Sequence, residues 1–299
     1  MAESTQITKN AKSNLAFTLI DMPEEKRRRM AQFYAFCRLV DDIVDEPGMT
    51  PEERHAALDR WLGIIDGSVE PQAGIEAEVA GLIDEMSLDL EPMQILIEGC
   101  RGDIAPKQPE TRAELLAYAY KVASCVGITS AAVMGASPAA REYAIALGYA
   151  LQMVNIIRDV AEDCEKYDRF YLPKDDLALF GVSNEDIREG RFSYRVRQLL
   201  AYEAALADKF FAESEELYEQ LSDEDRAALV PAQAMNLIYH TILVKMQDDG
   251  YRVFEHRYRV NNFRKLWFVA RARVGNIKFS SFFNLAEWDF FKSNSENKG

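Results

Sequence analysis

Histidine and cysteine are scarce in this chain, and the scarcity removes whole classes of chemistry. Three histidines in 299 residues (His55, His240 and His256) share no metal-ligand spacing. No Ser/His/Asp or Cys/His arrangement assembles around them. The four cysteines, Cys37, Cys100, Cys125 and Cys164, form no Cys-x-x-Cys pair. Neither a zinc site nor a disulfide framework is therefore expected, and a reducing compartment is. Basic charge is in deficit: 35 Lys and Arg against 49 Asp and Glu give a formal net charge of −14. Nucleic acid is excluded as a general partner, because phosphate backbones require basic surfaces. Strand-like alternation is rare. No Pro/Gly/Ser-rich linker divides the chain, and there is no solenoid-type repeat or low-complexity tract. Met1 to Asn10 is polar, so no secretory signal is expected, and no apolar run stands out as long enough to span a bilayer. Cytoplasmic placement is the resulting expectation.

What is present is helical periodicity. With 48% hydrophobic residues the chain has enough apolar material for a sizeable core. Apolar spacing predicts helices over roughly 24–46, 51–66, 74–87, 91–101, 111–134, 138–166, 193–220, 223–247 and 263–275. Pro23 and Pro51 sit near helix starts, and Thr50, Thr111 and Ser222 are placed to cap. Lys166 to Gly190 is polar, contains Pro173 and Gly181, and reads as the longest irregular segment. The expectation is one all-α domain over 1–299. It has a polar N-terminal tail at about 1–11 and a basic, aromatic C-terminal segment at about 257–299.

Two aspartate pairs carry the chemistry. Asp41 and Asp45 follow Phe33-Tyr34-Ala35-Phe36-Cys37; Asp159 and Asp163 follow Leu151-Gln152-Met153-Val154-Asn155-Ile156-Ile157. Residues i and i+4 share a helix face, so each pair offers two carboxylates side by side. Carboxylates among apolar residues are costly unless neutralised. Two such pairs make a hard, oxygen-rich site suited to Mg²⁺ and a phosphorylated substrate. Gln152, Asn155, Asp159 and Asp163 fall within an arc of roughly 80°. Arg38, Asp41 and Asp45 likewise share a face. Ordinary solvated carboxylates and an Arg38–Asp41 or Arg38–Asp42 surface pair are the plainer alternative.

The run Phe36 to Glu46 resembles the first aspartate signature of the squalene/phytoene synthase family. Gln152 to Asp163, followed by Arg169-Phe170-Tyr171-Leu172-Pro173, resembles the second. Tyr118 to Gly127 is similar to the family's central helix, and Tyr239, Gly250 to Phe254 and Arg257 to its C-terminal region. The resemblance spans roughly residues 12 to 275. It implies a single-domain isoprenoid-synthase helical fold with a central apolar cavity. It implies that Asp41, Asp45, Asn155, Asp159 and Asp163 hold Mg²⁺, and that Arg38, Gln152, Tyr171, Tyr239 and Arg257 bind diphosphate substrate. Tyr118 would face the reacting carbons. The chain departs from the pattern at Lys12-Ser13-Asn14-Leu15, at Lys121 and at Ser124-Cys125, which bears on cavity shape.

The family reaction joins two prenyl diphosphates head to head. The Val122-Ala123-Ser124-x-Val126-Gly127 form is closer to the bacterial hopanoid-pathway branch. This favours farnesyl diphosphate and a C30 product: presqualene diphosphate, hydroxysqualene, squalene or dehydrosqualene. Phytoene formation from geranylgeranyl diphosphate, a class I terpene cyclase and a non-catalytic assembly factor are the alternatives. A hydride quench would need NADPH, but no Gly-rich dinucleotide fingerprint is present. Phe33, Tyr34, Phe36, Tyr118 and Tyr120 are candidates for facing a carbocation, with core packing as the competing role. From Arg257 to Phe279 seven Arg and Lys residues occur with no acid between them. That basic, aromatic stretch is expected either to contact an anionic membrane surface or to pair with the protein's own acids.

Overall fold

The computed structural model describes residues 2–10, 14–19 and 22–274, with no strand among them. Helices α1 (Glu3–Asn10), α2 (Asn14–Thr18), α3 (Glu24–Asp45), α4 (Pro51–Ile65), α5 (Ile75–Met86) and α6 (Glu91–Gly102) form the first half. Helix α7 (Arg112–Ala119) runs through one π turn at Tyr120–Ser124 into α8 (Cys125–Met134). A 3₁₀ turn at Pro138–Ala140 then starts α9 (Arg141–Tyr167). The rest comprises α10 (Lys174–Phe180), α11 (Asn184–Arg188), α12 (Tyr194–Glu219), α13 (Asp223–Ala228), α14 (Val230–Asp248) and α15 (Asn262–Val274).

Helix α9 is the axis of the bundle. One side packs along α12, and the π turn, α8 and α14 close around it. Two glycines permit the tightest crossing. A Cβ on Gly148 would stand 2.5 Å from the Ser124 Cα, and one on Gly127 2.7 Å from the Ala144 carbonyl oxygen. The buried Ser124 hydroxyl donates to the Ile145 carbonyl at 2.9 Å across the same contact. Ser124 is thus a packing residue, and Lys121 is exposed. Neither of these departures from the family pattern lines the large cavity.

Local chemistry sets the helix ends. Thr50 Oγ1 accepts from the Glu53 amide at 3.2 Å while the Glu53 carboxylate accepts from the Thr50 amide at 2.8 Å, a reciprocal cap. Thr111 and Ser222 cap α7 and α13 as predicted. Helix α9 ends where Asp168 adopts a left-handed conformation (φ 50°) and the Arg169 amide donates back to the Asp163 carbonyl at 3.1 Å. That turn sends the chain back, so residues 169–171 return to the core of the molecule.

The structure differs from the sequence expectation in several places. The N-terminal tail contains α1, which packs on α3 and α5. Its buried Thr8 hydroxyl donates to the Ser4 carbonyl at 2.8 Å, and the Glu3 carboxylate accepts from the Ile75 amide at 2.9 Å. A contact made by short polar side chains leaves no apolar period to read. The segment 166–190 holds two short helices, α10 and α11, that pack on α12 and α9. The helix predicted over 223–247 divides at Leu229, just before Pro231. Two continuous helical stretches, Arg112–Met134 and Pro138–Tyr167, are long and apolar enough to cross a membrane by length and composition. The absence of such a run, expected from sequence, is therefore corrected: helix continuity through the π and 3₁₀ turns lengthens both. Both are packed into the bundle rather than standing apart from it.

Candidate active site

Helices α3, α9 and α14, together with the ends of α6 and α7, enclose a cavity of about 1240 Å³. Asn14 and Phe17 of α2, the stretch from Arg257 to Val260, and Asn262 and Lys265 of α15 complete its wall. All eleven residues singled out from the sequence line it: Arg38, Asp41, Asp45, Tyr118, Gln152, Asn155, Asp159, Asp163, Tyr171, Tyr239 and Arg257. The Arg38–Asp41 and Arg38–Asp42 pairs of the plainer alternative are both present, and the two motifs also line the same cavity. Both aspartate faces turn to one shared cavity that is partly open to solvent.

Of the aromatic candidates only Tyr118 reaches the cavity. Phe33 and Phe36 are fully buried, and Phe36 packs edge-on against Trp61 at 5.3 Å. Tyr120 lies against Tyr149 at 6.5 Å, and Tyr34 is absent from the cavity wall. Core packing accounts for Phe33 and Phe36.

Arginines neutralise the carboxylates. Arg38 pairs with Asp41 at 3.1 Å and also with Asp42. Arg169 pairs with Asp45 at 2.7 Å and donates to the Asp103 carbonyl at 3.1 Å. Arg158 and Arg257 both hold Asp159, at 2.8 and 2.9 Å, and Arg257 reaches Glu162 at 2.9 Å. Neutralisation is incomplete. Burial, with Asp45 beside it, pushes the Asp41 carboxyl up to about 6. Burial and the neighbouring Asp159 charge push Asp163 up to about 7. Burial also raises Asp103 to about 6, against the pull of Arg169. These groups hold protons more tightly than exposed carboxyls chiefly because burial penalises their charged form, with acidic neighbours adding to it.

A second set of residues escaped the sequence reading. Asp103, at the C-terminal end of α6, accepts hydrogen bonds from Tyr118 at 3.0 Å and Tyr171 at 3.4 Å, and those two rings stack at 5.1 Å. Arg158 is almost wholly buried, with its guanidinium 6.0 Å from the Tyr239 ring centre. Arg169 lay inside a quoted motif but carried no assigned role. Lys265, Arg259 and Phe17 also line the wall, with the Lys265 ammonium 4.9 Å from the Phe17 ring centre. Arg158 and Arg169 stood inside the second motif, and Arg259 and Lys265 inside the basic C-terminal stretch, without an assigned role; Asp103 and Phe17 gave no sequence signal.

The donor set fits a hard divalent cation. Asn155 Oδ1 is buried without a hydrogen-bond partner, while its Nδ2 donates to Gln152 Oε1 at 3.4 Å. A buried, unpaired oxygen beside under-neutralised carboxylates is what an oxygen-seeking ion would satisfy. Among the described residues no three His, Cys, Asp or Glu side chains converge closely enough to form a complete ligand cluster. Mg²⁺ does not require one, since it keeps several waters and takes one or two carboxylates plus substrate phosphate oxygens. All four cysteines are free. The histidines lie elsewhere: His55 contacts Arg101 at 3.2 Å, His256 contacts Asp249 at 3.3 Å, and His240 packs on Phe211.

Known proteins resemble this chain in sequence and in fold. The model of the family described as squalene/phytoene synthase matches residues 8–264. The 15-cis-phytoene synthase of Synechococcus elongatus is 33% identical over 280 residues, covering 88% of this chain and 89% of that protein. The chloroplastic phytoene synthase 3 of Zea mays is 32% identical over 89% of this chain. The chain spans 63% of that maize protein's length and 60% of the tomato phytoene synthase 1. A dehydrosqualene synthase crystal structure with bound ligand superposes with a TM-score of 0.79 at 28% identity, covering 91% of this chain and 94% of the other. Squalene synthase HpnC from Alicyclobacillus acidocaldarius gives 0.72 at 27% identity, covering 83% and 93%. By the residues that line its cavity and the length over which it matches, the chain belongs to the squalene/phytoene synthase family.

Proposed function

We propose that this protein condenses two prenyl diphosphates head to head, and that the substrate is farnesyl diphosphate. The observation that carries the reaction is the placement of both aspartate pairs on one cavity of about 1240 Å³. That exceeds the usual volume of a single small-ligand pocket, which is on the order of 300–1,000 Å³. The residues proposed to hold Mg²⁺ are Asp41, Asp45, Asn155, Asp159 and Asp163. When bound, the ion supplies the positive charge that lets diphosphate leave without a protein nucleophile.

The remaining roles belong to the chain itself. Arg38 and Arg257 are placed to exchange a carboxylate for a phosphate oxygen, since each already spans two acids. Gln152, Tyr171 and Tyr239 line the same wall and are the further substrate contacts. The Tyr118 hydroxyl is held by Asp103 and its pKa is raised well above the ordinary value by burial, so it stays protonated through neutral pH. Its ring face is available to an allylic cation. Ile156 and Ile242 contribute apolar wall that keeps water from a cation. The 2,3 double bond of the second substrate attacks the C1 cation of the first. Loss of one proton then closes a cyclopropyl diphosphate; loss of its diphosphate gives a second cation that rearranges and is quenched to the linear product by proton loss, by water, or by hydride from NADPH.

The dehydrosqualene and squalene synthase structural neighbours support the C15 substrate. The named sequence relatives support a second reading, phytoene formation from geranylgeranyl diphosphate. Incubation with each diphosphate and Mg²⁺, with and without NADPH, followed by mass spectrometry before and after phosphatase, separates them. A C30 product supports the first reading, and its oxidation state names the quench. A C40 product from the C20 substrate alone overturns it in favour of the second. A C15 hydrocarbon indicates a terpene cyclase, and no product from either substrate indicates a non-catalytic role.

A further inference from the structure

Arg257 stands in a segment without regular secondary structure. From Asp249, which caps α14, to Asn261, just before α15, the chain forms only turns. Its guanidinium is nevertheless held at three points. Nε and Nη2 meet the two oxygens of Asp159, each at 2.9 Å, and Nη1 meets Glu162 at 2.9 Å. A bidentate pair of this kind fixes geometry as well as charge. No helix or strand holds the backbone here, so side chains have to. Gly250 and Tyr251 take consecutive left-handed conformations (φ 66° and 63°) and reverse the chain as it leaves α14. The Tyr251 amide donates to the Met246 carbonyl at 2.7 Å and its side chain is buried, which secures a conformation that a residue with a Cβ rarely adopts. The Tyr258 hydroxyl then closes the loop. It accepts from the Arg252 amide at 3.0 Å and donates to the Asp249 carboxylate at 2.7 Å. Burial raises the Tyr258 pKa, so the hydroxyl keeps the proton that it donates. The same Asp249 oxygen lies 3.3 Å from His256 Nε2. Beyond Arg257, the Lys245 ammonium donates to the Arg259 carbonyl at 2.9 Å. Asp249 and Lys245 both belong to the end of α14, so one helix anchors the loop on both sides of Arg257.

We infer that Tyr258 and Asp249 are positioning residues, whose hydrogen bond fixes the loop that presents Arg257 to the cavity. This rests on the reading of Arg257 as a diphosphate contact, and it assigns what holds that contact ready. Arg257 has to release a carboxylate when a phosphate oxygen takes its place. On a loose loop, that exchange would cost backbone order each time. With its backbone tied to α14, Arg257 changes partner by side-chain motion alone, which is what a preorganised contact requires. Neither positioning group touches the reacting atoms. Asp249 is absent from the cavity wall, and the Tyr258 hydroxyl is engaged by the Arg252 amide and the Asp249 carboxylate. The plainer alternative is that the pair only stabilises the loop, and the two roles give different measurements.

Nuclear magnetic resonance of the full chain tests this without substrate or turnover. The Arg257 Nε–H gives one ¹H–¹⁵N resonance, assigned by its loss in Arg257→Gln. Its bond to Asp159 is expected to slow hydrogen exchange relative to solvent-exposed arginines. Tyr258→Phe removes a single oxygen atom and is expected to speed that exchange by about tenfold, with Asp249→Asn acting in the same direction. Calorimetry with inorganic diphosphate and Mg²⁺ supplies the second readout. Arg257→Gln is expected to weaken binding by about twentyfold and Tyr258→Phe by about fivefold. In the Arg257→Gln background Tyr258→Phe is expected to cost nothing further, because a residue that acts through Arg257 has nothing left to position. Circular-dichroism melts check folding, and Asp249→Asn carries both readouts if Tyr258→Phe does not fold. A lower melting temperature in Tyr258→Phe with the Arg257 resonance and diphosphate binding unchanged assigns the pair to loop stability alone and overturns the inference. A loss of binding in Tyr258→Phe that adds in full to that of Arg257→Gln also overturns it. If Arg257→Gln binds diphosphate as the parent does while Tyr258→Phe still disturbs the resonance, the positioning stands and the substrate contact of the proposed function falls.

Discussion

The two aspartate motifs have the same spacing and are neutralised differently. On α3, Arg38 comes from the same helix and is shared between Asp41 and Asp42, with its side chain 39% exposed. On α9, Asp159 is 12% exposed and held by two guanidiniums, one from Arg158 beside it and one from Arg257 far along the chain. The second pair's counterion thus depends on how the C-terminal segment folds back, whereas much of the first pair's is local. Each motif still contains a carboxyl pushed up by burial, Asp41 in one and Asp163 in the other. The lesson is that an i, i+4 aspartate pair need not be symmetric. The surrounding arginines decide which carboxylate is spare for a cation.

The largest effect is expected from Asp41→Asn and Asp159→Asn, each lowering product formation by about a thousandfold or more, measured as kcat with saturating Mg²⁺. Near-normal turnover in either variant would show that the two motifs are not equivalent partners in catalysis. Next is Arg169→Gln. It removes the only guanidinium bonded to Asp45 among the described residues, together with the bond to the Asp103 carbonyl. A fall in kcat of about 10–100-fold with a correctly folded protein is expected. An unchanged kcat would sink the idea that Arg169 positions the first motif.

A buried acid outside the cavity sharpens the comparison. Glu203 of α12 is fully buried, pairs with Arg112 at 3.3 Å, and is pushed by burial from 4.5 up to about 7. A raised carboxyl pKa means the folded state binds a proton more tightly than the unfolded chain. Its contribution to stability is complete below about 4.5 and is lost as pH rises through about 7. Glu203→Gln should therefore gain stability relative to the parent as pH rises across that window, by on the order of 1–3 kcal/mol. Thermal melts at several pH values measure this, and Mg²⁺ should leave the difference unchanged. A difference that is flat with pH would refute the assignment. The smallest effect is expected for Asp42→Asn. Asp42 is absent from the cavity wall and pairs only with Arg38 among the described residues, so kcat should change by less than about threefold.

Legibility followed sequence distance. The polar stripe Gln152, Asn155, Asp159, Asp163 was readable because helix periodicity alone places it on one face. Thr50, Thr111 and Ser222 were readable because capping is a contact between residues three apart. Helix α1 was not, because Ser4 and Thr8 make its contacts and carry no apolar signal. Asp103 was not, because nothing near it in sequence reveals that Tyr118 and Tyr171 converge on it. The C-terminal segment was half readable. Its basic, aromatic composition was evident, but the division of α15 into a cavity-facing side and an exposed side was not. Lys278, Phe279, Phe282 and Phe283, part of the same expectation, lie outside the described residues.

By itself the sequence determined that the chain is helical, where most of the long helices run, and which carboxylates share a face. Those properties depend on residues within one or two turns of each other. Only the tertiary structure decided that the two faces meet one cavity, that Arg257 closes on Asp159, and that Asp103, Arg169 and Lys265 join the wall. These depend on helix crossings such as the Gly148–Ser124 approach, where space and buried charge are settled between segments distant in the chain.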